Sequence, residues 1–342
     1  MAKTALVISG GGSKGAFAVG ALSYIQQHVR PVNQFDIYCG TSTGSLIVPL
    51  AALGELALLK QIYTTTTQGQ VLNMGGILNL ASNVSLHDAT PLKRLIDSTM
   101  TDARCNQLTA TGKPVFLATV CLQTERLVYF SMQPGVGNRA YDIRQIQTAT
   151  DLRRAMLASS CQPVFMQPIE WRPGAVPVRQ YVDGGIHELT PFQAAIDNGA
   201  ETIISITNSP VQTPDDNRLI SKATAMLERT IDLFSEDVTH NDYRMATVYR
   251  ETNSYLQRVR AQLLAQGVSP TVVNQAFAQS GNPAAGTAIT TLIDIRPETK
   301  LTEGGPGGLT FIPADMQRMF QKGVLAAEKT FTNLLQPVTG PV

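Results

Sequence analysis

Residues 40–44 read Gly-Thr-Ser-Thr-Gly and place Ser42 between a short apolar strand candidate and an apolar helical stretch. In a G-x-S-x-G sequence with this context, a sharp turn exposes the serine oxygen, and the small glycines avoid clashes with the strand and the helix. The N-terminus of the following helix also favours developing negative charge. The pattern therefore predicts Ser42 as a nucleophile flanked by Gly40 and Gly44, although an ordinary strand-to-helix turn has the same composition.

A glycine-rich segment, Gly-Gly-Gly-Ser-Lys-Gly at residues 10–15, follows the first predicted strand and has three interpretations. A dinucleotide-binding fingerprint needs an acidic residue at the end of the second strand, whereas Asp36 stands at the beginning of that strand. A phosphate-binding P-loop needs Ser or Thr after its lysine, and here Gly15 follows Lys14. The third interpretation is an oxyanion hole, in which successive N–H groups at a helix start converge on a tetrahedral oxyanion.

The position of this loop in the sheet favours the third interpretation. The first strand and the strand before Ser42 are predicted neighbours, so both of the following loops emerge at the same sheet edge. We therefore expect an oxyanion hole in this loop.

The base that activates Ser42 has two candidates. Asp183 ends a predicted strand, where loops gather over the active edge of the sheet, and Gly184 and Gly185 leave room for a close neighbour. An ordinary Asp-Gly turn is the alternative. His187 would suit a Ser-His-Asp triad, and a surface histidine is the alternative there.

The predicted elements that must position these residues indicate an α/β sandwich. Residues 4–9, 16–29 and 35–39 read as strand, helix and strand, which favours parallel pairing with a right-handed crossover. From residue 219 to 267 the pattern indicates two or more consecutive helices laid over the sheet. Further strands, which make the sheet mixed, are predicted at residues 114–122, 126–131, 179–182, 202–207 and 290–295.

No repeat or clean linker divides the sequence, so we expect a single domain over residues 1–342. Its parts are a core at 4–210 that carries the motifs, a mainly helical region at 215–280, and a closing strand and C-terminal helix at 288–337. Pro49 lies inside the helix that follows the serine, and its missing N–H predicts a kink there.

Composition limits the class of protein. Lys and Arg number 27 against 26 Asp and Glu, a net charge of +1, which argues against a nucleic-acid partner held by phosphate contacts. No run approaches the roughly 18 apolar residues that span a membrane. The apolar run near the N-terminus is too short for the apolar region of a secretory signal. We expect a globular cytoplasmic protein in a reducing compartment, because the four cysteines read as buried free thiols: Cys39, Cys105, Cys121 and Cys161.

Taken together, these motifs resemble those of the patatin-like phospholipase family, which are G-G-G-x-[K/R]-G, then G-x-S-x-G, then Asp-Gly-Gly. They stand here at residues 10–15, 40–44 and 183–185, in the family's order. The sequence Ala-Ser-Ser-Cys-Gln-Pro-Val-Phe at 158–165 is similar to the segment before the aspartate strand in that family. The likeness covers residues 4–210.

The resemblance implies a three-layer sandwich with a mainly parallel central sheet and a lipid acyl hydrolase of the phospholipase A or lysophospholipase type. Ser42 would be the nucleophile and Asp183 the base of a dyad without histidine. The oxyanion hole would be formed by Gly10, Gly11 and Gly12, with the amides of Gly11 and Gly12 as the donors. No metal or other cofactor is required, and the substrate is a lipid at a membrane surface, to which the enzyme binds peripherally. The remaining motif positions are Lys14, Gly15, Gly40, Gly44, Gly184 and Gly185.

Physical chemistry adds a requirement and leaves two rival functions. An aspartate at its usual pKa of ~3.9 is a poor base for a hydroxyl, so Asp183 should be partly desolvated. The rivals are a nucleotide-binding regulatory protein that uses residues 10–15, with Ser42 inert, and a Ser-His-Asp esterase that uses His187. The apolar residues 71–78 either face lipid or pack into the core.

Overall fold

The fold is taken from a computed structural model, which describes residues 2–75, 84–135, 137–172, 177–212, 219–278, 286–301, 303, 305 and 308–335. These residues form a nine-stranded sheet. The strands are β1 (Lys3–Ile8), β2 (Ile37–Thr41), β3 (Val115–Cys121), β4 (Arg126–Ser131), β5 (Tyr141–Gln145), β6 (Ile169–Trp171), β7 (Arg179–Asp183), β8 (Ala200–Ile206) and β9 (Thr291–Ile295).

The sheet is mixed, with mostly parallel pairs in the order β5-β4-β3-β2-β1-β8-β9. Strand β1 runs parallel to both β2 and β8, and Ile8 pairs with Gly40 on one side and with Ile206 on the other. The β3–β4, β3–β7 and β6–β7 pairs are antiparallel. The predicted mixed sheet is confirmed, while β5 and β6 were not expected from the sequence.

Helices cover the sheet and extend the C-terminal part of the chain. They are α1 (Gly15–His28), α2 (Thr43–Leu53), α3 (Leu56–Thr65), α4 (Gln68–Val71), α5 (Thr90–Thr99), α6 (Asp102–Ala110), α7 (Ala149–Ser160), α8 (Phe192–Asp197), α9 (Ala223–Ala265), α10 (Pro270–Phe277) and α11 (Pro313–Leu335).

Two apolar clusters lie on opposite faces of the sheet. Side chains alternate along β1, so Leu6 and Ile8 join one cluster and Ala5 and Val7 join the other. Helices α1, α2, α7 and α11 contribute to the first cluster, and α8 and α9 contribute to the second. The predicted three-layer sandwich is therefore confirmed.

One expectation about the helices is wrong. Residues 219–267 contain one long helix, α9, of 43 residues, where two or more consecutive helices were predicted. Helix α2 continues through Pro49 with buried residues on both sides of it, so it stays against the core, and the kink at Pro49 stays a prediction. Proline removes one N–H from a helix, but the buried apolar contacts of Ile47, Val48 and Leu50 hold this short helix in place.

Strands β2 and β7 meet end to end beside β3. Strand β2 is parallel to β3 and ends where Thr41 pairs with Ala118, whereas β7 is antiparallel to β3 and ends where Asp183 pairs with Thr119. The last residues of two strands that run in opposite directions thus pair with adjacent residues of a third strand. This junction brings Ser42, the residue after Thr41, to Asp183.

Candidate active site

Ser42 sits on a strained turn between β2 and α2. Its backbone has φ 54° and ψ −123°, a positive φ that non-glycine residues rarely adopt. The two flanking glycines permit the turn. A Cβ on Gly44 would lie 2.1 Å from the Ile8 carbonyl oxygen, and one on Gly40 would lie 2.4 Å from the backbone of Gly44. Only glycine fits at either position, which explains the G-x-S-x-G pattern.

Hydrogen bonds fix the strained backbone of Ser42. Its N–H donates to Ser159 Oγ at 3.0 Å, and that hydroxyl donates to the Ala118 carbonyl at 2.6 Å. The Ser42 carbonyl accepts from Ser45 N at 2.9 Å and from Ser45 Oγ at 2.6 Å. Strain of this kind persists only where surrounding contacts over-determine it, and it concentrates at functional sites.

Asp183 is buried beside Ser42, and the Ser42 side chain favours its charged form. Its Oδ1 accepts the Gly185 N–H at 2.8 Å. Burial raises the pKa of Asp183 to about 6, although the Ser42 side chain and the Gly185 N–H lower it. The desolvated aspartate expected from the sequence is therefore present, and it can accept a proton from the Ser42 hydroxyl.

The glycine loop lies against this pair. A Cβ on Gly10 would be 3.1 Å from Ser42 Cβ, and all of Gly10, Gly11 and Gly12 line the same cavity as Ser42. The Gly10 N–H donates to the Leu189 carbonyl at 3.0 Å and is thus engaged, contrary to its predicted place in the oxyanion hole. The N–H groups of Gly11 and Gly12 have no acceptor among the described residues and can donate to an oxyanion.

Close contacts from distant residues shape this loop. A Cβ on Gly12, whose φ is 58°, would lie 2.2 Å from the Gly308 carbonyl oxygen. Asn208 Nδ2 donates to the Gly10 carbonyl at 3.1 Å and to the Ser9 carbonyl at 3.3 Å. Neither Asn208 nor Gly308 was predicted as part of the site, because only the fold brings them to this loop.

Lys14 and Gly15, which complete the glycine motif, contact the neighbouring helices. Burial lowers the pKa of Lys14, and the nearby carboxylate of Asp232 opposes that effect. The Lys14 side chain lines the cavity and is only partly exposed. A Cβ on Gly15 would lie 2.5 Å from Thr43 Oγ1 and 2.6 Å from the Tyr63 ring, so glycine lets α1 approach α2 and α3.

Ser42 and Asp183 open into a cavity of about 460 Å³, a size common for small-molecule sites. At its wall, Lys300 forms ion pairs with Glu236 at 3.0 Å and with Asp232 at 3.6 Å. Most of the remaining wall is apolar, and it is formed by residues such as Leu46, Ile62, Val71, Leu92, Leu95, Met166, Ile231, Leu309, Phe311 and Met316. The cavity can hold an apolar chain with its polar end at the serine.

The four histidines, all in the described part of the chain, lie outside this cavity. His187 is exposed, and its N–H donates to the Gly184 carbonyl at 2.9 Å. His87 is buried, but its Nδ1 accepts the Gly75 N–H at 3.2 Å. His28 packs against Tyr24 with its ring tilted, and His240 contacts the Val211 carbonyl. The geometry offers Ser42 a carboxylate partner and no imidazole.

The other residues singled out in the sequence lie away from the site. Asp36 is exposed at the opposite end of β2 from Ser42, where its Oδ2 accepts the Thr4 N–H at 2.8 Å. The four cysteines are buried free thiols, as predicted. No grouping of three or more His, Cys, Asp or Glu side chains suited to a metal ion occurs in the ranges that the structure covers. Over the same ranges, no helix is both long and apolar enough to cross a membrane.

Comparison with known proteins identifies the family. A family model for patatin-like phospholipases matches residues 6–196, more than half of the 342 residues, so the chain belongs to this family. A search of curated proteins finds no match. Among solved structures, VipD from Legionella pneumophila is 12% identical with a TM-score of 0.46, over 97% of this chain and 67% of that one. The human GIVD cytosolic phospholipase A2 is 11% identical with a TM-score of 0.43, over 98% of this chain and only 59% of that one.

Proposed function

We propose that the protein is a serine lipid acyl hydrolase that cleaves ester-linked fatty acids from phospholipids or lysophospholipids. The observation that carries this proposal is the buried Asp183 beside Ser42 at a largely apolar cavity. Membership in the patatin-like phospholipase family supports lipid acyl hydrolysis. The finer assignment rests on the geometry of the dyad.

In the first step, Asp183 accepts the hydroxyl proton of Ser42 as the serine oxygen attacks the ester carbonyl carbon. The carbonyl oxygen becomes an oxyanion, which the N–H groups of Gly11 and Gly12 stabilise. Collapse of the tetrahedral intermediate breaks the bond to the alcohol, which leaves with the proton from Asp183, and the acyl group stays on Ser42.

In the second step, Asp183 takes a proton from water, and the hydroxide attacks the acyl-serine carbonyl. The second tetrahedral intermediate then releases the fatty acid, and the serine oxygen recovers its proton from Asp183. One carboxylate thus acts as base and acid in each half of the reaction, and no further group is needed to balance the protons.

We also propose that the enzyme binds lipid surfaces peripherally through an apolar rim, which consists of Val164, Ile186 and Phe234. These three residues line the cavity, yet their side chains are 38%, 46% and 68% exposed. Exposed apolar residues at the mouth of a ligand cavity mark an interaction site. A lipid surface at this rim would let an acyl chain enter the cavity without crossing bulk water.

Labelling with a fluorophosphonate and hydrolysis of phospholipid vesicles test the dyad together. We expect label on the peptide that carries Ser42, and at least a tenfold loss of kcat/KM, about 1.4 kcal/mol, in both Ser42→Ala and Asp183→Asn. The matched control is His187→Ala, which should keep activity within a few-fold because the His187 side chain is exposed and lies outside the cavity.

Three results would contradict the proposal. A wild-type protein that does not react with the fluorophosphonate would favour the nucleotide-binding alternative. Full activity in Asp183→Asn would show that Asp183 is not the base. A loss of several orders of magnitude in His187→Ala would replace the dyad with a triad.

A further inference from the structure

Residues outside the glycine motif form hydrogen bonds with both the N–H and the carbonyl of Gly10. Its N–H donates to the Leu189 carbonyl at 3.0 Å, and its carbonyl accepts from Asn208 Nδ2 at 3.1 Å and from Ser9 Oγ at 3.1 Å. A trans peptide is planar, and its C=O and N–H point in opposite directions. Fixing the Gly10 carbonyl toward Asn208 therefore fixes the direction of the Gly11 N–H, which points away from Asn208.

Leu189 in turn is held by an aspartate on α9. Asp242 Oδ2 accepts two backbone N–H groups, from Leu189 at 2.8 Å and from Thr190 at 2.9 Å. The Leu189 side chain packs against the glycine loop and against the turn after Asp183. Its Cδ1 would be 2.5 Å from a Cβ on Gly10 and 2.6 Å from one on Gly185. A chain of contacts thus runs from α9 through Leu189 to the glycine loop and to the turn after Asp183.

Asp242 itself does not reach the reacting atoms. It is absent from the cavity wall that Ser42 and Asp183 share, among the residues that the structure describes. Burial and the neighbouring Glu188 raise the pKa of Asp242, which favours a neutral carboxyl whose Oδ2 still accepts both N–H groups. What the loop requires from Asp242 is an acceptor oxygen at this point.

We propose that Asp242, acting through Leu189, and Asn208 are positioning residues that clamp Gly10 and so aim the Gly11 N–H at the substrate oxyanion. The proposal rests on the proposed acyl hydrolase function. Oxyanion donors act mainly in the transition state, because the charge develops there. Loosening the clamp should therefore lower kcat and leave KM nearly unchanged.

The test compares Asp242→Ala with Asp242→Asn in steady-state hydrolysis of a neutral fatty acyl ester. We expect Asp242→Ala to lose at least tenfold in kcat, with KM within twofold of wild type. Asp242→Asn should stay within threefold in kcat, because its amide oxygen can replace Oδ2 for both N–H groups. Glu251→Ala is the control on the same helix, since Glu251 is exposed and paired only with the adjacent Arg250 among the described residues.

Inhibition by a fatty acyl fluoroketone separates aiming of the N–H from general loss of fold. The Ser42 oxygen adds to the ketone carbon, its proton passes to Asp183, and the ketone oxygen becomes an oxyanion. The inhibition constant should rise in Asp242→Ala by the same factor as kcat falls, whereas a purely structural defect lowers the active fraction and leaves this constant unchanged. Circular dichroism checks that each variant is folded.

Asn208→Ala tests the other side of the clamp and should show the same fall in kcat with little change in KM. Both residues act on one loop, so the double variant should lose less than the product of the two single losses. If Asp242→Ala does not fold, Asp242→Leu takes its place, because it removes the acceptor oxygen from both N–H groups and fills a similar volume.

Two outcomes would overturn the proposal. One is a kcat within threefold of wild type in both Asn208→Ala and the folded Asp242→Ala or Asp242→Leu, and the other is an Asp242→Asn variant as slow as Asp242→Ala. Failure of the acyl hydrolase function is a separate result, since it would show as an inactive, unlabelled wild-type protein.

Discussion

Asp183 combines burial with a proposed role as a base, which needs its charged form. Burial raises the pKa of this carboxyl to about 6, and only the ionised carboxylate can accept the Ser42 proton. We expect kcat/KM for a neutral ester to rise with pH through about 6 and to fall about tenfold for each pH unit below it. A pH–rate profile at constant ionic strength measures this limb. A profile that stays flat down to pH 4.5 would contradict Asp183 as the base.

The same carboxyl should cost the protein stability at neutral pH. Because its folded pKa is above the usual 3.8, the folded state holds the proton more tightly than the unfolded chain does. This contribution to stability is fully present below 3.8 and is lost as the pH rises through about 6. We expect Asp183→Asn, which cannot ionise, to raise the free energy of unfolding at pH 8 by up to about 3 kcal/mol.

Urea unfolding of wild type and Asp183→Asn at pH 4 and pH 8 checks the sign. The advantage of the variant should be present at pH 8 and nearly absent at pH 4. An advantage of equal size at both values would mean that the charge of Asp183 is not its source.

At the scale of elements, the sequence motifs predict which residues react, but not how two of them meet. The G-x-S-x-G and Asp-Gly-Gly patterns point to Ser42 and Asp183, because local turn chemistry is visible in the residues themselves. Their contact depends on β2 and β7 ending beside adjacent residues of β3, Ala118 and Thr119. Antiparallel pairing of β7 is a long-range event that neither periodicity nor composition encodes locally. The same limit explains why Asn208 and Asp242 were not predicted.

Element boundaries show a related limit. Strands β1 and β2 were predicted from apolar runs between glycines and turns, and both are present within two residues of the expected bounds. Strands β5 and β6 were missed, since β5 is half exposed and β6 has only three residues. Helix α9 was predicted in pieces because only part of its length is buried, so no continuous apolar stripe marks it.

The turn at Ser42 yields a stability prediction for its glycines. Gly44→Ala would place a Cβ 2.1 Å from the Ile8 carbonyl oxygen, which belongs to the central strand and cannot easily move. We expect a loss of about 3 kcal/mol in the free energy of unfolding, at the upper end for overpacking. Gly69→Ala on α4 is the matched control, because no atom lies within 4 Å of its added Cβ.

The control variant should be neutral or slightly stabilising, as alanine in a helix usually is relative to glycine. Urea unfolding of both variants measures the difference. Equal stability of Gly44→Ala and Gly69→Ala would show that α2 can move away from β1 without cost.

At the scale of the whole molecule, one cavity draws on parts of the chain that are far apart in sequence. Its walls include the loop after β1, helix α2, the first half of α9 and the segment before α11. Helix α9 also reaches the second apolar cluster through Ala246, so it links the cavity to the opposite face of the sheet. This arrangement is compatible with the single domain predicted over residues 1–342, which stays a prediction.

The two alternatives for residues 71–78, facing lipid or packing into the core, are decided only in part. Val71 and Leu72 are buried in the first apolar cluster, so their side chains stabilise the fold and cannot contact a membrane. Met74 is exposed, and residues 76–78 lie outside the described ranges. The apolar rim of Val164, Ile186 and Phe234 takes over the role that the sequence assigned to this segment in our proposal.

The rim makes a prediction about salt. Inserting Ile186 and Phe234 into lipid contributes on the order of 1.5–3 kcal/mol for each side chain at full burial, whereas attraction to anionic lipid is screened by ions. With a net charge of only +1, the protein should bind phosphatidylcholine vesicles nearly as well in 1 M salt as in dilute buffer. Co-sedimentation of the inactive Ser42→Ala protein measures binding without consuming the lipid.

In this background, Ile186→Ser with Phe234→Ser should lower vesicle affinity at least tenfold, because both side chains leave the apolar rim. Leu325→Ser is the control: Leu325 on α11 is 62% exposed, close to the 68% of Phe234, but it does not line the cavity. Circular dichroism should show the same fold in all three variants. Binding that disappears in salt, or that survives the double substitution, would contradict the apolar rim and would point to charged groups as the source of membrane affinity.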